Sequence, residues 1–294
     1  MRLAVTGGTG LVGRFIVEEA LAAGDDVAVL SRSAPLPGNF GAPVVHVPYD
    51  LAGPVPPLVG YDALVHAAFS HLAGRYRGGE GGDPAGFLRA NLDGSVRLFE
   101  AAKAAGVGRV LFLSSRAAYG AWPPGTVLRE DMEPRPDTLY GEAKVAAERA
   151  LTGLTAPGFA TSSLRATGVY GAVAPGQAHK WQPLFADFQN GTPIAPRVAT
   201  EVHGADLASA VRLLLTLPAD ELAGAIFNVS DLILDRRDLL AEVARLTGVS
   251  TPLPDRADAG QVNVMETRRL EALGWRPAGM EGLRQALPAM LRLD

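Results

Sequence analysis

The eight residues Thr6-Gly7-Gly8-Thr9-Gly10-Leu11-Val12-Gly13 stand between an apolar run, Leu3-Ala4-Val5, and a long segment with the makings of a helix. Gly7 can take the backbone angles of a tight turn, and Gly10 lets a pyrophosphate approach the main chain. Gly13 lets the following helix pack closely on a sheet. Free backbone N–H groups in the turn, around Thr9, Leu11 and Val12, and the helix dipole then favour negative charge. Glycines alone mark many turns that bind nothing. Placed between a first strand and a first helix, they read as a dinucleotide-binding turn.

The rest of the chain alternates short β-branched or apolar runs with longer Ala/Leu-rich segments. Strands are expected over 2–6, 26–31, 44–48, 63–66, 109–114 and 161–165, and helices over 10–23, 87–105 and 138–151. Short continuous strands separated by amphipathic helices imply an α/β fold with a parallel sheet covered on both faces. Right-handed crossovers make that a doubly wound, Rossmann-type sheet. A helix over 205–217 and a strand over 225–229 can rejoin it. Residues 175–196 are loop-rich, and Trp181, Phe185 and Phe188 have the spacing of helix packing. From Asp235 a helix to Leu246, a Pro-broken stretch and a terminal helical region follow. The expected organisation is a dinucleotide-binding domain over 1–168, with 199–230 returning to it. Residues 169–198 and 231–294 form a small substrate-binding lobe.

Composition narrows the chemistry. A net charge of −4 gives no electrostatic reason to expect a nucleic-acid partner. The chain has no cysteine, which excludes disulfides, thiolate metal sites and a cysteine nucleophile. The five histidines (46, 66, 71, 179, 203) show no metal-ligand spacing, so no metal is expected. No stretch approaches the ~18 apolar residues of a membrane span, and the opening residues do not read as a leader. A cytoplasmic protein acting on a small molecule is the expectation.

Two further patterns point to redox chemistry. The second strand ends in Ser31-Arg32, where an acidic residue would bind the ribose 2′-hydroxyl of NAD. A hydroxyl and a guanidinium suit a 2′-phosphate instead, so NADP is favoured over NAD. Tyr140 and Lys144 are four residues apart, which on a helix places both on one face. A nearby cation favours the phenolate and lowers the tyrosine pKa from ~10, fitting Tyr140 to move an alcohol proton while hydride passes to or from nicotinamide. The apolar run 111–113 ends in Ser114-Ser115, and ligands of open α/β sheets bind at such carboxyl ends. Ser115 can hydrogen-bond the reacting oxygen; Ser114 caps the strand end.

Taken together these residues resemble the extended short-chain dehydrogenase/reductase family, which includes nucleotide-sugar epimerases and dehydratases. The likeness runs through TGGTGLVG, Asp50-Leu51, Val65-His66-Ala67-Ala68, Asn91-Leu92-Asp93-Gly94-Ser95, SSxxxYG from Ser114 to Gly120, Tyr140-x-x-x-Lys144, and Leu164-Arg165 to Gly171. It continues through Val202-His203 to Asp206, Phe227-Asn228-Val229 and Gly274-Trp275-Arg276-Pro277. The resemblance implies a catalytic set of Ser115, Tyr140 and Lys144, with Asn91 supporting a proton relay or helix geometry. It implies that Lys144 also holds the nicotinamide ribose, that Thr167 lies near the nicotinamide, and that Asp50 and Leu51 meet the adenosine. Ala67, Ala68 and His71 would lie along the cofactor. Relatives often dimerise, and the alanine-bearing faces of helices 87–105 and 138–151 suit a homodimer.

The departures bear on substrate. Gly168 stands where many sugar-nucleotide enzymes carry asparagine, and Ala199 where they carry a diphosphate-binding arginine, with Arg197 two residues earlier. Arg116-Ala117 replaces the Asp-Glu pair of 4,6-dehydratases, so that chemistry lacks its acid and base. A reductase or dehydrogenase acting on a secondary alcohol or ketone is the first reading, and an epimerase retaining NAD the second. A non-catalytic NADP-sensing regulator is the third, against which the Tyr140–Lys144 pair argues. The glycine-rich stretch 74–82, with Arg75 and Arg77, reads equally as a lid over an anionic substrate and as a solvated loop. His203 reads as part of the fold.

Overall fold

Strands that are apolar on both faces must be covered on both faces, and this chain meets that demand with a seven-stranded parallel sheet. The computed structural model describes residues 1–70, 79–174 and 177–293. The strands are β1 (Arg2–Thr6), β2 (Asp26–Ser31), β3 (Val45–Pro48), β4 (Ala63–His66), β5 (Arg109–Ser115), β6 (Ala160–Ala166), β7 (Gly168–Tyr170), β8 (Val198–His203), β9 (Ala225–Val229) and β10 (Leu232–Asp235). The main sheet has the order β3-β2-β1-β4-β5-β6-β9, with every pairing parallel. This is the doubly wound arrangement expected from the sequence.

The helices are α1 (Leu11–Ala22), α2 (Pro84–Leu88), α3 (Gly94–Ala104), α4 (Leu139–Gly153), α5 (Gln182–Gln189), α6 (Gly204–Thr216), α7 (Ala219–Leu222), α8 (Arg236–Thr247), α9 (Arg268–Ala272) and α10 (Gly279–Leu291). Ile16 and Val17 of α1 and Leu207, Val211 and Leu214 of α6 pack with Leu3, Val5, Val29 and Val65 on one face. Leu98 and Phe99 of α3 and Ala147 and Leu151 of α4 pack with Ala4, Leu30, Leu64 and Phe112 on the other. Alternate residues of the same strand therefore serve opposite cores.

Between α2 and α3 the helix widens into a π-turn over Arg89–Asp93, so the single helix expected over 87–105 begins earlier and is interrupted. Asp83 starts it by accepting the Gly86 N–H at 2.8 Å. A second, smaller sheet has the order β10-β8-β7. These strands were not legible from the sequence: each is three to six residues long. In β8, Val198-Ala199-Thr200-Glu201-Val202-His203 mixes polar and apolar residues without clear alternation. Trp181, Phe185 and Phe188 pack here with Leu240, Leu283 and Leu287, as their spacing predicts. Among the described residues no helix is long and apolar enough to cross a membrane.

One buried ion pair ties the sheet to α4. The Arg165 Nη2 of β6 donates to Glu148 Oε2 at 2.7 Å and its Nε to Oε1 at 3.0 Å, with both side chains under 4% exposed. The Ser114 hydroxyl of β5 donates to the same carboxylate. The guanidinium lies over the Tyr119 ring, whose hydroxyl donates to Asn228 Oδ1 of β9 at 2.8 Å. Removing one partner strands the other charge, which costs about 3–5 kcal/mol. Glu148→Ala should therefore lower the urea-unfolding free energy by about that amount, and Glu148→Met with Arg165→Met by clearly less. Equal losses would show that the charge is not what matters.

Candidate active site

In an open α/β sheet the strand order reverses between two neighbours, and a crevice forms outside their carboxyl ends. Here the reversal lies between β1 and β4. A cleft of about 610 Å³ opens there, bordered by residues that follow β1, β2, β4 and β6 and by the end of β5. Of the described site residues read from the sequence, all except Asn91 border it. His71, Arg75 and Arg77 lie outside the described residues.

The glycine turn is tightly built. Gly7 has φ +70°, where side chains are strained, and a Cβ on it would stand 2.8 Å from the Ala68 nitrogen. A Cβ on Gly13 would stand 2.7 Å from the Gly7 carbonyl carbon. No side chain caps α1, so the N–H groups of its first turn, at Leu11, Val12 and Gly13, border the cleft without a partner among the described residues. A cradle that any side chain would fill, ending on open helix N–H groups, fits a dinucleotide pyrophosphate. Arg32 is exposed at the rim, while the Ser31 hydroxyl donates to the Ser33 carbonyl at 2.8 Å.

The strand ends beneath this turn are locked by a buried polar chain. His66 is fully buried and its pKa falls to about 3, from burial first and the Lys144 charge second, so its ring is neutral. The Ser95 hydroxyl donates to the Asn91 carbonyl at 2.5 Å. Its oxygen therefore accepts from His66 Nε2–H at 2.8 Å, leaving Nδ1 to accept the Thr6 hydroxyl at 2.6 Å. Thr6 in turn accepts the Ala68 N–H at 3.2 Å. Asn91 does not reach the cleft: its Oδ1 accepts the Ser70 N–H at 2.6 Å and its Nδ2 donates to the Ser70 carbonyl at 2.7 Å. Asn91 is a clamp on the loop after β4.

Tyr140 and Lys144 stand on α4, which Thr138 starts by accepting the Gly141 N–H at 3.1 Å. Gly141 lets the helix lie against the turn after β5, since a Cβ there would stand 2.5 Å from the Ala117 carbonyl oxygen. Tyr140 borders the cleft together with Ser115, whose Oγ accepts the Ala117 N–H at 3.2 Å. The Tyr140 ring meets the Phe69 ring edge-on, centroids 4.9 Å apart. The Lys144 ammonium is buried, donating to the Leu113 carbonyl at 2.6 Å, 4.5 Å and 4.6 Å from the Phe69 and Phe112 ring centroids and 5.8 Å from that of Tyr140. Thr167 borders the cleft with its hydroxyl bound to Thr200.

Sequence reasoning missed Glu148, Phe69 and the Thr6–His66–Ser95 chain. Glu148 had a signal, since it extends the four-residue spacing of Tyr140 and Lys144 on a helix face that is otherwise apolar.

Burial pushes Lys144 down to about 7, with Glu148 opposing weakly. Between about 7 and the ordinary 10.5 the unfolded chain thus binds a proton the folded one lacks, and stability rises with pH across that window. The stability of wild type relative to Lys144→Met should therefore be lowest near pH 6 and recover towards pH 10. Denaturant midpoints at several pH values measure this, and a pH-independent difference would contradict it.

The NAD dependent epimerase/dehydratase family matches residues 3–230. A UDP-glucose 4-epimerase from Corynebacterium glutamicum is 29% identical, covering 94% of this chain and 91% of its own. A dTDP-6-deoxy-L-talose 4-dehydrogenase (NAD(P)(+)) from Kitasatospora kifunensis is 30% identical with the same coverage. Among solved structures, Thermus thermophilus UDP-glucose 4-epimerase in complex with NAD is 28% identical over the whole of both chains, with a TM-score of 0.79.

Proposed function

This chain belongs to the NAD dependent epimerase/dehydratase family, and we propose that it transfers hydride between a nicotinamide cofactor and a secondary alcohol or ketone of a sugar or similar polyhydroxylated compound. One observation carries this reading: Tyr140, Lys144 and Ser115 border the same cleft as the glycine turn. When bound, the nicotinamide supplies the hydride acceptor or donor. Tyr140 takes or returns the hydroxyl proton, and the Lys144 charge favours its phenolate. The Ser115 hydroxyl holds the reacting oxygen in line. Gly7, Gly10, Gly13 and the open end of α1 hold the pyrophosphate. Thr9, Leu11, Val12, Asp50, Leu51, Ala67 and Ala68 border the rest of its path.

The named relatives support NAD as a cofactor and sugar derivatives as the substrate class. Ser31 and Arg32 support a preference for NADP within that. Tyr140→Phe should slow hydride transfer by on the order of 10²–10⁴ while NADPH still binds. Unchanged turnover would move the non-catalytic reading to first place. Arg32→Asp should shift the ratio of NADP to NAD dissociation constants towards NAD by about tenfold or more, the worth of one charge-assisted contact. An unmoved ratio leaves Arg32 a surface residue.

The second reading is an epimerase, favoured by the Corynebacterium glutamicum relative. It differs in retaining its cofactor and consuming none. Ala101, Ala146 and Ala150, small and half-buried on α3 and α4, support a homodimer through these helices, and the fold family a cytoplasmic setting.

A further inference from the structure

Lysine is scarce here. Three of the 27 basic residues are lysine, and two of those three, Lys144 and Lys180, border the same cleft. Elsewhere, Lys103 apart, the chain uses arginine for its side-chain positive charge. Lysine differs in offering a compact charge with three donors on a flexible stem.

Lys180 precedes α5, and its ammonium pairs with Glu201 of β8. Strand register explains the meeting. Gly168 pairs with Glu201 across β7 and β8. With no side chain at 168, the carboxylate folds over that position, where a Cβ would stand 2.5 Å from Glu201 Oε2 and 2.9 Å from Lys180 Nζ. The pair fills the space a side chain would take. It also lies close to the proposed chemistry: Ser115 pairs with Ala166 across β5 and β6. Gly168 is two residues further on, and Ser115, Gly168 and Lys180 all border the one cleft.

The local charge is not balanced. Arg197 acts on both Lys180 and Glu201 and makes no ion pair or side-chain hydrogen bond among the described residues. Two cations face one carboxylate. Burial also pushes Lys180 down and Glu201 up, while the Lys180 side chain stays 30% exposed, open to an added partner.

We propose that Lys180 sets substrate specificity by binding a carboxylate carried on the same sugar ring that Tyr140 acts on, with Glu201 holding the ammonium in place until the substrate arrives. The proposal deepens the functional reading above and rests on it for the identity of the reacting ring. A sugar acid is the substrate class. A nucleotide diphosphate offers similar charge, and UDP-galactose is the probe that separates the two.

Protein labelled with 13C at lysine Cε gives three signals, and Lys180→Met identifies that of Lys180. Galacturonate, galactose and UDP-galactose are titrated separately with NADPH present. Galacturonate should move the Lys180 signal, and Lys180→Met should weaken galacturonate binding roughly tenfold to a hundredfold without changing that of galactose. Glu201→Gln should keep the response and tighten binding, because a competing carboxylate is gone. The double variant, Lys180→Met with Glu201→Gln, removes both members of the ion pair together if the single one folds poorly, and should lose galacturonate equally. A Lys180 signal that ignores galacturonate, a response to UDP-galactose alone, or equal weakening of acidic and neutral sugars overturns the proposal. If galacturonate binds at Lys180 but Tyr140→Phe turns it over as fast as wild type, the functional reading falls and the subsite stands.

Discussion

A parallel sheet whose strand order reverses cannot cover its own carboxyl edge at the point of reversal. The connection leaving β1 passes over one face and the connection leaving β4 over the other, and between them the strand ends stay open. The cleft is therefore a property of the topology, and the residues around it supply what the topology leaves unfinished. Gly7 and Gly13 let the first turn close to the spacing a phosphate requires. The chain from Thr6 through His66 and Ser95 to Asn91 fixes β1, β4 and the π-turn relative to one another. A neutral histidine suits that task, since it donates on one side and accepts on the other and brings no charge into the core.

Helix α4 carries a graded series along one face. Tyr140 lies at the cleft, Lys144 one turn deeper, and Glu148 deeper still, bound to Arg165 inside the fold. Chemistry and stability thus share a single stripe. The lysine titrates near 7 because burial disfavours its charge, while the aromatic faces of Phe69 and Phe112 and the Glu148 carboxylate favour it. A group poised in this way can answer to a ligand's charge more readily than a solvated one.

The legible parts of this protein were those governed by local rules. The glycine turn, the apolar strands and the Tyr140–Lys144 spacing each carry their meaning within a few residues, and the structure brings them to one cleft. What escaped depends on partners far apart in the chain. The small sheet joins residues 168–170, 198–203 and 232–235, none of which has strong periodicity alone. Glu148 reads as an ordinary helix glutamate until Arg165 arrives from the next strand. Asn91 carried two implied roles, and its clamp on Ser70 is visible only in the fold. Lys180 follows a loop and means little without the absence of a side chain at 168.

The π-turn at Arg89–Asp93 has an evolutionary corollary. It holds one residue more than an α-helical turn, and Asn91 Nδ2 donates to the Phe87 carbonyl at 3.0 Å within it. Deleting that residue would restore a regular helix but rotate all that follows by about 100°. Ser95 would leave His66, and Leu98 and Phe99 would swing out of the core. A change of residue count between Phe87 and Ser95 would therefore break both the buried polar chain and the core packing, so selection should hold that count fixed.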